Sequence, residues 1–337
     1  MQSLQLHIFR VEEGLGNACL LQFPDKTCGF LDWGTQRAKP LDAALGIAEQ
    51  GRIRFIAASH AHADHTLGLE LLLRECKRRK IVVERFVYPA STLHRENSYL
   101  TRAREAAGEC GVEMSPIAVD RFLTPKGKPD PPWLAWADDK SWEVRILSPG
   151  VTEIAIEEMK ALKAKVVPGN ATSLVVLFRF LNVPQSFGRA LLPGDATPQT
   201  LDFARQTGKQ FPDLEIDNDM FLVPHHGSHH NLPPWIQSHV RGIAVVSAPT
   251  GSPKHPSEQT LKLLGKWTCS SKPPLLFCTS YADACAKAFG KNAADQTLVQ
   301  PGSCFGDVTI EIPATMAAQV KRFTVDGNQR RPYGYCQ

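Results

Sequence analysis

The sequence predicts an α/β protein in which two sheets pack face to face with helices on the outside. Three observations carry this. Strand-like apolar runs fill the first 60 residues and return after residue 140, and each set is followed by segments of helical spacing. Hydrophobic residues make up 43% of the 337, enough for a full core, and the 21% charged content argues against disorder. No stretch of flexible composition divides the chain, so one domain over 1–337 is expected instead of the two that length alone suggests.

The elements follow in order. Leu4–Val11, Ala18–Phe23 and Gly29–Asp32 read as strands, with a helix near 40–50. Arg52–Ala58 reads as a buried strand running straight into Ser59-His60. From Leu67 to Arg79 the apolar residues Leu69, Leu72, Leu73 and Cys76 recur at helical spacing, with Thr66 as the expected N-cap. Residues 91–109 read as a helix reaching over a cleft, within an inserted region of about 91–165. Thr124–Asp139, containing TPKGKPDPPW, is the strongest loop signal. Strand Trp142–Leu147, a helix near 152–164 and strands Thr172–Phe180 and Ala190–Leu192 come next. After Asp195 helices near 198–207, 233–239 and 257–266 alternate with strands Met220–Val223, Ile243–Ser247 and Leu275–Cys278. Strands at Asp307–Ile312 and Lys321–Val325, within 305–325, belong to the same domain.

Composition excludes several classes. Net charge is +4, from 38 basic and 34 acidic residues, too small to announce a nucleic-acid binder. No run of about 18 apolar residues exists, so no membrane association is expected. The start, MQSLQLHIFR, lacks an apolar signal region, and the composition predicts a soluble cytoplasmic protein. Nine cysteines, an odd number with no CxxC pair, argue for reduced buried thiols over a disulfide scaffold or zinc ribbon.

The chemistry concentrates in Ser59-His60-Ala61-His62-Ala63-Asp64-His65. On an extended stretch residues i and i+2 face one side, so His60 and His62 can converge on one ion. Asp64 and His65 fall where the helix begins, where the turn can aim them at a second ion. Imidazole with carboxylate suits zinc, manganese or iron, not an oxygen-built calcium site. A run of four histidines, His225-His226-Gly227-Ser228-His229-His230, forms a second cluster.

HxHxDH at a strand-to-helix junction resembles the metallo-β-lactamase superfamily, whose fold is a four-layered αββα sandwich. More closely, the chain is similar to the soluble domain of ComEC-type competence proteins and their stand-alone relatives. The matching pieces run in family order from about residue 4 to 311: Gly14–Phe23 before Leu31-Asp32-Trp33-Gly34, the histidine motif, Leu147-Ser148-Pro149, Asn170 with Ser173-Leu174-Val175, Leu192-Pro193-Gly194-Asp195-Ala196, Val223-Pro224-His225-His226-Gly227-Ser228, and His255-Pro256-Ser257.

The resemblance implies two divalent ions, zinc or manganese, with Asp195 bridging them. It implies that Asp32 accepts a hydrogen bond from a ligand histidine and fixes its tautomer. It makes one of His225 and His226 a ligand and turns the other to substrate. The superfamily's late ligand precedes a glycine, as His226 does, and neighbours on an extended chain point apart. His226 is therefore assigned to the ion held by Asp64, His65 and Asp195, while His225 faces the cleft. Asp64 and His225 are the expected catalytic side chains, and Asn170, Ser228 and His255 are expected to meet substrate. Ser228 and the backbone N–H groups near Gly227 could hold a phosphate oxygen; His229 and His230 are expected to be solvated. The separate middle ligand histidine of the wider superfamily is missing, since no histidine lies between His94 and His225. The ComEC-like group shares that absence, which leaves one ion with only His60, His62 and Asp195. Many ComEC domains lack a histidine at the first motif position, whereas His60 is present.

The expected function is a binuclear metal-dependent phosphodiesterase or nuclease acting on nucleic acid or a nucleotide. The alternatives are a carbonyl hydrolase (of a lactone, thioester or β-lactam) and a catalytically silent binding or sensing relative. The Lys77-Arg78-Arg79-Lys80 cluster reads as a solvated helix end before it reads as a phosphate track. Trp133, Trp136 and Trp142 read as a small core of the proline-rich loop before they read as stacking platforms.

Overall fold

The computed structural model describes residues 3–11, 16–91, 98–119, 133–164, 169–181, 183, 188–210, 215–248, 255–266, 275–279, 307–314, 319–325 and 328–330. In β1 (Ser3–Ile8) burial alternates strictly, which fits a strand with one face on a core. β2 (Ala18–Gln22) and β3 (Cys28–Trp33) are buried throughout because both of their faces are covered. Together with β4 (Ile53–Ala57), β5 (Arg85–Pro89), β6 (Glu113–Ile117), β14 (Asp307–Pro313), β15 (Gln319–Val325) and β16 (Asn328–Arg330) they form a nine-stranded sheet. Its order is β16-β15-β14-β1-β2-β3-β4-β5-β6. The second sheet runs β13 (Leu275–Cys278), β12 (Val240–Val246), β11 (Asn218–Leu222), β10 (Arg189–Leu192), β9 (Val175–Phe180), β8 (Trp142–Ser148), β7 (Trp133–Trp136). Both sheets are mixed: β3 to β6 and β10 to β13 are parallel, and the remaining pairs are antiparallel.

Three apolar clusters make the layers. Leu4, Leu6, Cys19, Leu21 and Phe55 of the first sheet meet Val144, Ile146, Val176 and Phe178 of the second in a central core. The Phe23 ring stacks on Trp142 across that core, centroids 4.4 Å apart. On the outer face of the first sheet lie α1 (Ala38–Ala48), α3 (Leu69–Arg78) and α4 (Tyr99–Glu109), and on that of the second α6 (Pro198–Gln210) and α7 (Glu258–Lys266). The protein is thus a sandwich of two mixed sheets flanked by helices.

Several local expectations change. Thr66 is not an N-cap: it closes a one-turn helix, α2 (Ala63–Thr66), and its hydroxyl donates to the His62 carbonyl. The chain then breaks at Gly68, where a Cβ would sit 1.8 Å from the Thr35 carbonyl oxygen, and restarts as α3. The helix expected over 91–109 begins at Tyr99, with the Ser98 hydroxyl accepting from the Thr101 N–H. Residues 233–239 form only a short 3₁₀ turn, Pro234–Ser238. The proline-rich loop contains β7, and Trp142 lies in the central core instead of a core of the loop's own. Residues 91–165 supply α4, the edge strand β6, strands β7 and β8, and α5 (Val151–Ala164). Cys19, Cys28, Cys76, Cys110 and Cys278 are free thiols; the other four cysteines lie outside the described residues, as does His94.

Candidate metal centre

Both sheets deliver their polar residues at the carboxyl ends of parallel strands, where open α/β sheets leave a crevice. Asp32 is the last residue but one of β3, His60 to His65 follow β4, Asp195 follows β10, His225 and His226 follow β11, and Ser247 follows β12. Two backbone features bring the edges together. The Leu174 N–H donates to the Ser59 carbonyl at 2.8 Å. Gly194 turns with φ +56°, and a Cβ there would lie 2.7 Å from that of Ser59. The turn lays Asp195 against the histidine loop.

Two groups of side chains converge tightly enough to hold an ion: His60, His62 and Asp195; and Asp64, His65, Asp195 and His226. Asp195 is 1% exposed and belongs to both. Its Oδ2 lies 3.8 Å from His60 Nε2, and its Oδ1 lies 3.1 Å from His65 Nε2 and 3.9 Å from His226 Nε2. Asp64 Oδ2 completes the second group, 3.4 Å from His226 Nε2 and 3.9 Å from His65 Nε2. Ligands of a tetrahedral ion with bonds of about 2.1 Å stand roughly 3.4 Å apart, so these spacings fit.

The hydrogen bonds behind the rings make the same case. His65 Nδ1 donates to Asp32 Oδ2 at 2.7 Å, and His226 Nδ1 donates to the Ser247 carbonyl at 2.8 Å. Asp32 also accepts from the Ser59 N–H and hydroxyl, at 2.6 and 2.8 Å. Its proton committed to Asp32, the Ser59 oxygen can accept from His60 Nδ1 at 3.1 Å. In all three rings Nδ1 carries a proton, so Nε2 is the nitrogen left to a cation. His60 Nε2, His65 Nε2, His226 Nε2 and Asp195 Oδ1 are buried without a hydrogen-bond partner; the 3.1 Å approach of His65 to Asp195 lacks hydrogen-bond alignment. Buried orphan atoms of this kind need an explanation, and a shared cation supplies one.

Charge is balanced around the same point. Burial lowers the pKa of His62 and, with help from neighbouring His65, holds that of His60 well below the ordinary range. For His65 burial acts in the same direction, but Asp195 and Asp32 outweigh it and hold its pKa well above normal; Asp195 and Asp64 do the same, less strongly, for His226. Burial would raise the carboxylates, yet His65 and His226 hold Asp195 well below its ordinary value, and the close approach of the His226 ring leads in bringing Asp64 to about 2.

His225 lies at the rim, 29% exposed, with Nε2 3.8 Å from Asp195 Oδ2. Its Nδ1 meets Asn231 Oδ1 at 3.0 Å and the Asn170 side-chain amide at 3.1 Å. His255 flanks it, ring centroids 5.1 Å apart. The structure therefore gathers Asn170, His225 and His255 beside the two ligand groups. Two expectations need correction. His225 and His226 are not on an extended chain: their φ values are +51° and +53°, and this left-handed turn is what points the rings apart, with centroids separated by 6.3 Å. The backbone N–H groups near Gly227 are not available to a phosphate, since Gly227 donates to Pro224 and Ser228 to His225. Ser228 itself is buried, while His229 and His230 are exposed. The sequence reading gave Ser59 no role of its own and missed Ser247 and Asn231. The basic cluster is engaged locally, with Arg78 on Glu75, Arg79 on Asp42 and Glu49, and Lys77 on the Glu109 carbonyl.

No family model and no curated protein matches this sequence. Among solved structures, the chain is similar to a diphosphatase from the PhnP family, at 14% identity and a TM-score of 0.42 over 79% of this chain and 94% of that one. It is also similar to the metallo-β-lactamase fold protein YhfI from Bacillus subtilis, at 10% identity and a TM-score of 0.40 over 74% and 88%. A long form of RNase Z from yeast is similar at 12% identity and a TM-score of 0.33, over 71% of this chain and 40% of that one.

Proposed function

We propose that this protein is a metal-dependent hydrolase of phosphodiesters, with nucleic acid or a nucleotide as its substrate. One observation carries the reading: three buried ring nitrogens gather about one shared carboxylate whose Oδ1, like them, has no hydrogen-bond partner, and each of those nitrogens is left to a cation by a proton fixed on the other side of its ring. His60, His62 and Asp195 would hold one divalent cation, zinc or manganese, and Asp64, His65, His226 and Asp195 the second. Cations bound there would polarise the ester and make water a nucleophile near neutral pH.

The remaining steps belong to the side chains. Asp32, Ser59 and the Ser247 carbonyl orient the ligand rings, as outer partners of metal-binding histidines do. Asp64, held ionised, keeps an acceptor at the cleft. His225 stands beside Asp195 at the rim, where Nε2 would take up a proton and pass it to the leaving oxygen, a contribution of roughly 10²–10⁴ in rate. Asn170 and His255 bracket it. The order HxHxDH, GDA, HHGS, similar to ComEC-type domains, favours phosphorus over a carbonyl carbon as the centre attacked. Buried free thiols suit a reducing, cytoplasmic setting, and no described helix is long and apolar enough to cross a membrane.

The test is a panel of bis-p-nitrophenyl phosphate, single- and double-stranded DNA, RNA, a lactone and a thioester. Chelator should abolish phosphodiester cleavage and Mn²⁺ or Zn²⁺ should restore it. Robust lactone turnover with every phosphodiester untouched would refute the assignment in favour of a carbonyl hydrolase.

A further inference from the structure

We propose that Asn231, which lies outside every motif of the sequence, is a positioning residue that decides which nitrogen of His225 faces the cleft. The proposal deepens the reading above, in which His225 serves the leaving group. Asn231 is 5% exposed and ends a short 3₁₀ turn, His229–Asn231. Its amide nitrogen donates to two carbonyls of the loop that carries the shared carboxylate, Asp195 at 3.2 Å and Ala196 at 2.9 Å. Those two bonds fix which end of the side chain is oxygen. The oxygen is therefore what meets His225 Nδ1 at 3.0 Å, and Nδ1 must carry the proton.

The Asn170 amide nitrogen lies 3.1 Å from the same Nδ1, a contact that would require Nδ1 to be bare. One tautomer cannot satisfy both amides. Asn231 prevails: turning it over would forfeit two hydrogen bonds and set its oxygen against two carbonyl oxygens. Asn170 turns over without loss, because its oxygen is buried with no hydrogen-bond partner. Once turned, Asn170 shares the Nδ1 proton through its oxygen and presents its NH₂ as a donor. His225 is left with Nε2 as its only open nitrogen, on the side of Asp195 Oδ2. The arrangement follows the general pattern in which a reacting imidazole is oriented from behind by a third group. Because the same amide grips the Asp195 loop, the imidazole and the shared carboxylate are held in one register.

The experiment uses the full chain loaded with Zn²⁺. Long-range ¹H–¹⁵N correlation spectra, with His225 assigned by its loss in His225→Gln, report the tautomer without any substrate. Wild type should show a protonated Nδ1 and a bare Nε2. Asn231→Ala should give a mixture of tautomers. With a short oligonucleotide, whose leaving alkoxide needs a proton, Asn231→Ala should lower kcat about tenfold or more, up to the roughly 10²–10⁴-fold available to His225 itself, with KM within threefold. In a His225→Ala background the same change should have no further effect. An unaltered tautomer in Asn231→Ala, a loss of metal from it, or additive losses in the double variant would each overturn the proposal. If no phosphodiester is cleaved by any form, the functional reading fails, and the tautomer spectra still decide the role of Asn231.

Discussion

Replacing Asp32 with Asn should weaken metal binding by 10–100-fold while leaving the fold intact. Asp32 has φ +62°, and Asn tolerates the left-handed region as Asp does, so the backbone is not disturbed. The amide oxygen can keep the 2.6 Å bond from the Ser59 N–H. The new NH₂ then occupies the place of Oδ2, which in the wild type accepts from the Ser59 hydroxyl and from His65 Nδ1. Two donors would face each other at 2.7 Å. His65 escapes by moving its proton to Nε2, the nitrogen that faces Asp195. Binding a cation then requires the proton to move back against a buried donor, a penalty of about 1–3 kcal/mol. At about 1.4 kcal/mol per factor of ten, that is roughly 5–150-fold, in line with the effect expected for outer partners of ligand histidines. Competition against a fluorescent zinc chelator measures the affinity, and urea unfolding of the metal-free protein checks the fold. Wild-type affinity within twofold, in a folded Asp32→Asn protein, would show that this hydrogen bond does not set the His65 tautomer.

Asp195→Ala should lower occupancy of both ligand groups at once, because they share this one carboxylate; elemental analysis showing full occupancy would remove it as the bridge. His226→Ala should lose metal and activity together, whereas His225→Ala should keep near-normal metal while turnover falls, least for substrates with good leaving groups; the reverse pattern in metal content would exchange their roles. Away from the site, burial pushes Asp219 up to about 6 even though the Arg189 N–H donates to it. A carboxyl whose pKa is raised by folding costs nothing below its unfolded value near 4 and the full amount above 6. Asp219→Asn should thus stabilise the protein by up to about 3 kcal/mol at pH 8 and hardly at all at pH 4. A stability difference that does not change between those pH values would contradict the burial argument.

The alternating halves of the chain were legible because most strands bury at least one regular face: β1, β2, β3, β4 and β8 to β12 all fall inside or beside the apolar runs that predict them. The strands missed were β5, β6, β7 and β16. Three of these, β6, β7 and β16, are sheet edges, and an edge strand buries too little to impose a period. In β6, EMSPI, Glu113, Met114 and Pro116 are exposed and the proline interrupts the run. β7 is four residues long and sits beside a proline-rich stretch whose composition overrides it. The break between α2 and α3 was invisible for another reason. It depends on the approach of Gly68 to Thr35, a contact that local periodicity does not encode.

The site divides along the same line. His60, His62, Asp64 and His65 lie within six residues, so their convergence follows from local geometry and can be read from spacing. Asp195 and His226 carry no such local signature, and only the order of motifs drew attention to them. The groups that orient the rings are less legible still, because one of them is a backbone carbonyl, that of Ser247, and another is the Asn231 side chain acting 36 residues from its acceptor at Asp195. The energetics give these contacts a reason to exist. An orphaned buried donor or acceptor costs about 1–3 kcal/mol, and a non-glycine residue held in the left-handed region costs a similar amount. The centre contains four such atoms and three such residues, Asp32, His225 and His226, within one crevice. A fold selected for stability alone would replace them with apolar side chains. Their concentration where two sheet edges meet is explained if a ligand that binds only the folded state offsets the cost, and cations binding the bare nitrogens and Asp195 would do so in proportion to their affinity.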